Sequence, residues 1–211
     1  MYQPAHGKFT VADAAAILAE LAAAVPASFV TVGSNGPEVS VVPMLFDPTD
    51  GPYGTLRFHI ALPNPQWKGI DANTQALAIF LGPQAYVSPA WYEEKRRTGR
   101  VVPTWNYVTV VARGTLTVHR EPAWLVAHVR KLVDAHEAGR PDPWSIDDAP
   151  AGYVDGQAKG IVGFEMRITR IDAKRKLSQN RSDADIEGTI GGLSAGTPSE
   201  QAVAAEMRRR V

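Results

Sequence analysis

Apolar positions recur at helical spacing in the first quarter of the chain. Ile17, Leu18, Leu21 and Val25 sit in an alanine-rich stretch that Pro26 ends, which predicts a helix over residues 14–25. Thr10 is placed to cap it, with Asp13 three residues on. The period then changes. Two Val-rich alternating runs, 28–34 and 38–46, flank Asn35-Gly36, a dipeptide that accepts the positive φ of a tight hairpin. Pro43 inside the second run predicts a strand at a sheet edge or one with a bulge. Further strands are expected at 55–61, 76–82, 101–118 and 160–171, with Gly114 marking a bend.

A second helix over 121–136 shows an apolar stripe of Leu125, Val129, Leu132 and Val133. A short helix is expected at 153–159. The last helix starts on Thr197 as cap, with Pro198 first and Glu200 third, and runs into Arg208-Arg209-Arg210, cations that suit a helix C-terminus. Several strands, one hairpin and interspersed single helices predict an antiparallel β-barrel with flanking helices, an α+β fold. Strict βαβ alternation is absent, which disfavours a doubly wound sheet.

Composition narrows the chemistry. The chain has 211 residues, no Cys, and 22 basic against 22 acidic side chains. Without Cys there is no disulfide framework, no thiolate metal site and no thiol nucleophile. Zero formal charge weighs against a generic nucleic-acid binder. The most apolar helical stretch is too short for a bilayer, which takes roughly 20 residues, and no leader pattern precedes it. A soluble, cytoplasmic protein is expected.

Several motifs match in letters alone. Gly192-Leu193-Ser194-Ala195-Gly196 spells a nucleophile elbow, yet every His and Asp lies upstream of Ser194, so it reads as a flexible loop. His6, His59, His119, His128 and His136 are scattered and show no metal-ligand spacing, which predicts solvated or helix-end histidines. No dinucleotide or Walker loop occurs. The distinctive region is 64–107, where Trp67, Trp91, Trp105, Tyr86, Tyr92 and Tyr107 interleave with amides, hydroxyls and lysines. Such a set suits a flat heteroaromatic ligand bearing a phosphate, and equally a Trp-rich corner of the core. Residues 174–181 hold four cations and several hydrogen-bonding side chains, which suits an anion clamp, a nucleic-acid contact or a solvated loop. Residues 93–100 are similar, diluted by Glu93 and Glu94.

The segments MYQPAHGKF, HIALPNPQW, AIFLGPQAYVSPAWYEEKRRTGRVVPTWNYVTV, GIVGFEMRITRI and KLSQNR, in that order, resemble the PaiB-like family of FMN-binding negative transcriptional regulators. The resemblance implies a split β-barrel of the flavin-reductase and pyridoxamine-phosphate-oxidase type. It also implies a homodimer with FMN at the subunit interface. It covers residues 1–193 as one FMN-binding domain, with 194–211 as a C-terminal linker and helix. By motif position it marks His59, Asn64, Gln66, Trp67 and Lys68 as cofactor-binding, with Ser88, Trp91, Tyr92 and Lys95 from SPAWYEEK. Trp105 and Asn106 follow from PTWNY, and Gln179, Asn180 and Arg181 from KLSQNR. One departure stands out: Leu62 occupies a place where the family carries a basic residue. If that cation binds the FMN phosphate, its loss removes a charge-assisted contact of about 1.5–3 kcal/mol, which Lys68 is placed to offset. The family name implies DNA as a partner. The alternative on the same barrel is a small flavin-dependent oxidoreductase or a haem-handling protein.

Overall fold

The computed structural model describes residues 11–33, 36–71 and 74–209. Thr10, Ser34, Asn35, His6 and Arg210 therefore lie outside the described residues. Helix α1 (Val11–Ala24) buries Ala14, Ile17, Leu18 and Leu21, the stripe seen in sequence. Strands β1 (Ala27–Gly33) and β2 (Gly36–Val42) pair antiparallel, with Ala27 opposite Val42 and Gly33 opposite Gly36. Gly36 has φ 104°, the backbone region that glycine enters freely. Strand β2 stops before Pro43, and the expected single run 38–46 divides there into β2 and β3 (Leu45–Asp47). Strand β2 is a sheet edge, as Pro43 suggested.

The remaining strands are β4 (Thr55–Ala61), β5 (Gln75–Val87), β6 (Thr104–His119) and β7 (Ile161–Lys176). They form one seven-stranded antiparallel sheet in the order β2-β1-β5-β6-β7-β4-β3, flanked by helices, the split barrel that the family resemblance implied. The helices after α1 are α2 (Glu93–Arg97), α3 (Pro122–Glu137), α4 (Tyr153–Ala158), α5 (Asp183–Ser194) and α6 (Pro198–Arg208). The chain divides into two compact units. One takes the described chain up to Phe80 together with Val110–Asp172; the other takes Leu81–Thr109 and the described chain from Ala173 onward.

In the first unit the core is aromatic. Phe29, Phe58 and Phe164 are fully buried with ring centroids 4.7–5.7 Å apart, and Leu56, Ile60 and Met166 fill the space around them. Gly114 serves a close approach of strands: a Cβ there would strike the Arg167 carbonyl oxygen of β7. The sheet also closes on itself. Strands β2 and β4 are far apart in sheet order, yet they pack together, and hydrogen bonds from the loop after β4 fasten the seam.

In the second unit α5 and α6 pack against each other over a core of Ala85, Leu177, Ile190, Leu193, Val203, Ala204 and Met207. Helix α6 starts as expected: Thr197 and Glu200 cap each other reciprocally and Pro198 takes the first position. Helix α5 was not expected. Its glycines hid it, and the stretch read as a flexible loop around Ser194 is its last turn. Ser194 donates its hydroxyl to the Ile190 carbonyl at 2.6 Å, as a helical serine does and a catalytic one does not.

Candidate functional site

The barrel seam in the first unit is built by a short segment. Asn64 caps the turn Pro65–Trp67 by accepting from the Gln66 N–H at 3.0 Å. Its amide also donates to Ser40 Oγ at 2.9 Å, and Ser40 donates to Gln66 Oε1 at 2.6 Å. Gln66 is 3% exposed, and its amide nitrogen reaches the carbonyls of Phe29 and Glu38 and the Thr31 hydroxyl at 3.2–3.3 Å. Both polar atoms of the Gln66 side chain are thus used to hold the β1–β2 hairpin. Trp67 donates Nε1–H to the Leu62 carbonyl at 2.9 Å, with the Arg120 guanidinium 5.2 Å over its ring. Lys68 is exposed.

Beside this latch lies an open groove of about 400 Å³, lined by Ser40, Val41, Val42, His59, Ile60, Ala61, Asn64 and Ile161. Its volume falls in the range of cofactor clefts, and its lining has the expected character: mostly apolar walls with a few polar groups. No cation is among those lining residues. A larger hollow of about 730 Å³ lies along α3, but its Arg130 is already held bidentately by Asp147 and none of the motif residues line it.

His59 is not an isolated strand histidine. Its Nδ1 lies 3.1 Å from Nε2 of His128, which is 4% exposed on α3. The other nitrogen of His128, Nδ1, is enclosed with no hydrogen-bond partner. An orphaned buried N–H is costlier than an orphaned lone pair, so His128 carries its proton on Nε2 and donates it to His59. His59 then keeps its own proton on Nε2, a donor on a residue that lines the groove. Burial holds the His59 pKa below the usual range, and burial with the nearby His59 and Arg57 charges pushes His128 down to about 4. Both rings are neutral at pH 7.

The cluster continues. Trp124 stacks between His128 and His119, at 5.3 Å and 4.1 Å between centroids. His119 Nε2 meets Glu165 at 2.8 Å, and Glu165 accepts from Arg57 at 2.7 Å; Arg57 also pairs with Asp47 and Asp50. Burial opposes ionisation of Glu165, but the hydrogen bonds from Arg57 and His119 outweigh it and hold the carboxyl below its ordinary range. The reading of these histidines as solvated is corrected: His59, His119 and His128 form one partly buried network. The signal missed in sequence is that His128 falls three residues after Leu125 and four after Trp124, on the same helix face. Gly163 gives Trp124 its place, since a Cβ there would strike the indole. Among the described residues no group of three or more His, Asp or Glu side chains is arranged to hold a metal.

The other motif residues belong to the second unit. Ser88 caps the turn Pro89–Trp91. Trp91 lies against Gly188 and Gly192 of α5. Tyr92 is 1% exposed beneath the Arg181 guanidinium, 4.4 Å from its ring centroid. Lys95 is exposed on α2, where Arg96 and Arg97 pair with Glu93 and Glu94. Trp105 is half-exposed, bonded to Gln84 and edge-on to Tyr86. Asn106 is fully buried and accepts from Ser178 Oγ at 3.1 Å. Asn106, Gln179, Asn180 and Arg181 line one small cavity. The structure therefore sorts the motif residues into a seam group, His59 to Lys68, and a second group carried by the other unit.

Comparison with known proteins agrees with this architecture. A conserved hypothetical protein of Mycobacterium tuberculosis superposes with a TM-score of 0.56 at 12% identity, covering 83% of this chain and 90% of its own. A Mycobacterium smegmatis protein described as FAD- and haem-binding gives 0.56 at 14% identity, covering 85% and 77%. Both show the fold alone. In sequence, the chain is 33% identical over 161 residues to the Bacillus subtilis protease synthase and sporulation protein PAI 2, covering 76% of this chain and 74% of that one. An uncharacterised Aspergillus fumigatus protein is 36% identical over 190 residues, covering 74% and 73%. Residues 1–170 match the family described as "Putative FMN-binding domain", and the chain belongs to that family.

Proposed function

We propose that this protein is a PaiB-like regulator that binds FMN in the barrel-seam groove and works as a homodimer. The observation that carries the reading is the groove itself: it is lined by His59 and Asn64 of the family segment and has the volume of a cofactor cleft. Val41, Val42, Ile60, Ala61 and Ile161 offer apolar walls for a flat ring. The Nε2–H of His59 and the Asn64 amide offer polar contacts for its rim or its hydroxylated chain. These residues fit the flavin portion. The phosphate portion finds no cation among the groove-lining residues. When bound, FMN supplies reversible redox chemistry; the protein supplies position, polarity and exclusion of water.

A second copy is supported by the outward face of the β1–β2 hairpin, where Val32, Val39 and Val41 are 61–71% exposed side by side. DNA is the partner that the family resemblance implies. A formal charge of zero supplies little steering toward DNA, which favours an effect through a partner protein over direct contact.

Titration of the purified chain with FMN, followed by flavin fluorescence, tests the cofactor. Saturable uptake of one FMN per chain, weakened in His59→Ala and Asn64→Ala, is expected. No uptake at micromolar FMN overturns the reading. Binding to its own promoter DNA across a salt series tests direct contact, and a steep salt slope would replace the indirect route. Oxidation of reduced nicotinamide faster than free FMN supports would point instead to an oxidoreductase.

A further inference from the structure

We propose that the second unit carries a pocket for a phosphate-sized oxyanion, built by Arg181 and Lys176. The cavity measures about 170 Å³ and is formed wholly by residues of that unit. At roughly 30 Å³ per water, it holds about six waters' volume. That is room for a tetrahedral anion with its bridging waters and well short of what an entire flavin needs. Two cations line it and no carboxylate does.

The two cations are held differently. The Lys176 ammonium donates to Thr104 Oγ1 at 2.5 Å and to the Trp105 carbonyl at 2.8 Å, which leaves one of its three protons for a ligand. Arg181 is steadied by the face of buried Tyr92, a contact that fixes the guanidinium plane without using its N–H groups. Glu94 is near enough to feel the Arg181 charge, but its oxygens are bonded to Arg97 and Thr98.

The loop that presents Arg181 is wound in advance. Ser178 adopts φ 63°, a left-handed conformation that is unfavourable for serine. It is held there by its hydroxyl bond to fully buried Asn106, and the Arg181 N–H closes the turn onto the Ser178 carbonyl at 3.0 Å. Gln179 braces the same turn through the Arg175 carbonyl and the Leu177 N–H. Two half-committed cations, Lys176 at the end of β7 and Arg181 on a strained loop, form the donor set of an oxyanion site.

The chemistry recognised is a phosphate group, which arrives either as inorganic phosphate or as the end of FMN. Calorimetric titration of the full chain with inorganic phosphate at constant ionic strength tests the pocket without reference to the groove. Saturable binding of one phosphate per chain is expected, weakened at least tenfold in Arg181→Gln and in Lys176→Met. Arg96→Gln, on α2, should bind as the parent does. Arg181→Lys, which keeps the charge and loses the fork, should fall between and serves if the glutamine variant is unstable. Parallel titrations with FMN and riboflavin separate the sources. An Arg181-dependent preference for FMN over riboflavin assigns the pocket to the cofactor's phosphate. Equal affinities with phosphate binding retained assign it to free phosphate. Absence of saturable phosphate binding together with equal FMN and riboflavin affinities, or binding unchanged in Arg181→Gln, overturns the proposal.

Discussion

Gln66 and His128 show how two buried polar side chains organise the seam. Gln66 has spent its amide on four partners from the hairpin, so its role is to close the barrel rather than to read a ligand. Gln66→Leu leaves the Phe29 and Glu38 carbonyls short of a donor. It should cost about 2–3 kcal/mol in urea unfolding and loosen the groove beside it. His128 acts through protonation. Its pKa of about 4 in the folded chain lies below the unfolded value, so the unfolded state takes up the proton first. Stability is full above pH 6.5 and falls as pH drops toward 4, on the order of 2–3 kcal/mol by pH 4.5. His59, also depressed, adds in the same direction. Glu165 and Asp47, both lowered, stabilise the fold above the ordinary carboxylate range and lose that contribution only as pH falls through it. Urea midpoints between pH 7 and 4.5 should therefore decline steeply for the parent and much less for His128→Phe. Equal slopes would remove His128 as the cause.

Among the elements, α5 separates local preference from packing most clearly. Its Gly188, Gly191 and Gly192 each lower helix propensity by about 1 kcal/mol relative to Ala, which is why the segment reads as a loop. In the structure a Cβ at 188 would strike the Trp91 carbonyl and one at 192 the Trp91 indole, whereas nothing lies within 4 Å of one at 191. The same substitution should thus have opposite signs within one helix. Gly191→Ala should stabilise by about 0.5–1 kcal/mol, while Gly188→Ala and Gly192→Ala destabilise, as thermal melts would show. Helix α3 offers the converse. Its Leu and Val stripe was readable, but the packed face also includes buried His128 and half-buried Trp124, residues placed by partners from β4 and β7.

For the whole molecule, the valines of the outer hairpin face and the family resemblance point to assembly, and light scattering should give the mass of two chains. Val39→Lys with Val41→Lys should shift that mass toward one chain, because both positions are already exposed and the charges oppose pairing of like faces. Among the described residues no helix is long and apolar enough to cross a membrane.

Most strands, helices α1, α3, α4 and α6, the hairpin at Gly36, the edge position of β2, the reciprocal cap of α6 and the family motifs were legible in the chain, because each depends on neighbours a few residues away; α2, α5 and the division of β2 from β3 were not. The groove, the cation pocket and the histidine network were not. His59 and His128 are 69 residues apart, Asn106 and Ser178 are 72 apart, and Trp91 and Gly192 are farther apart still. Periodicity reports which face of an element is apolar; it carries no information about which polar residue of another element will meet it there. The amino-acid sequence by itself determined most of the elements and the family. Only tertiary structure decided which polar groups are committed to holding the barrel and which remain for a ligand, since that depends on partners that folding alone brings within hydrogen-bond distance.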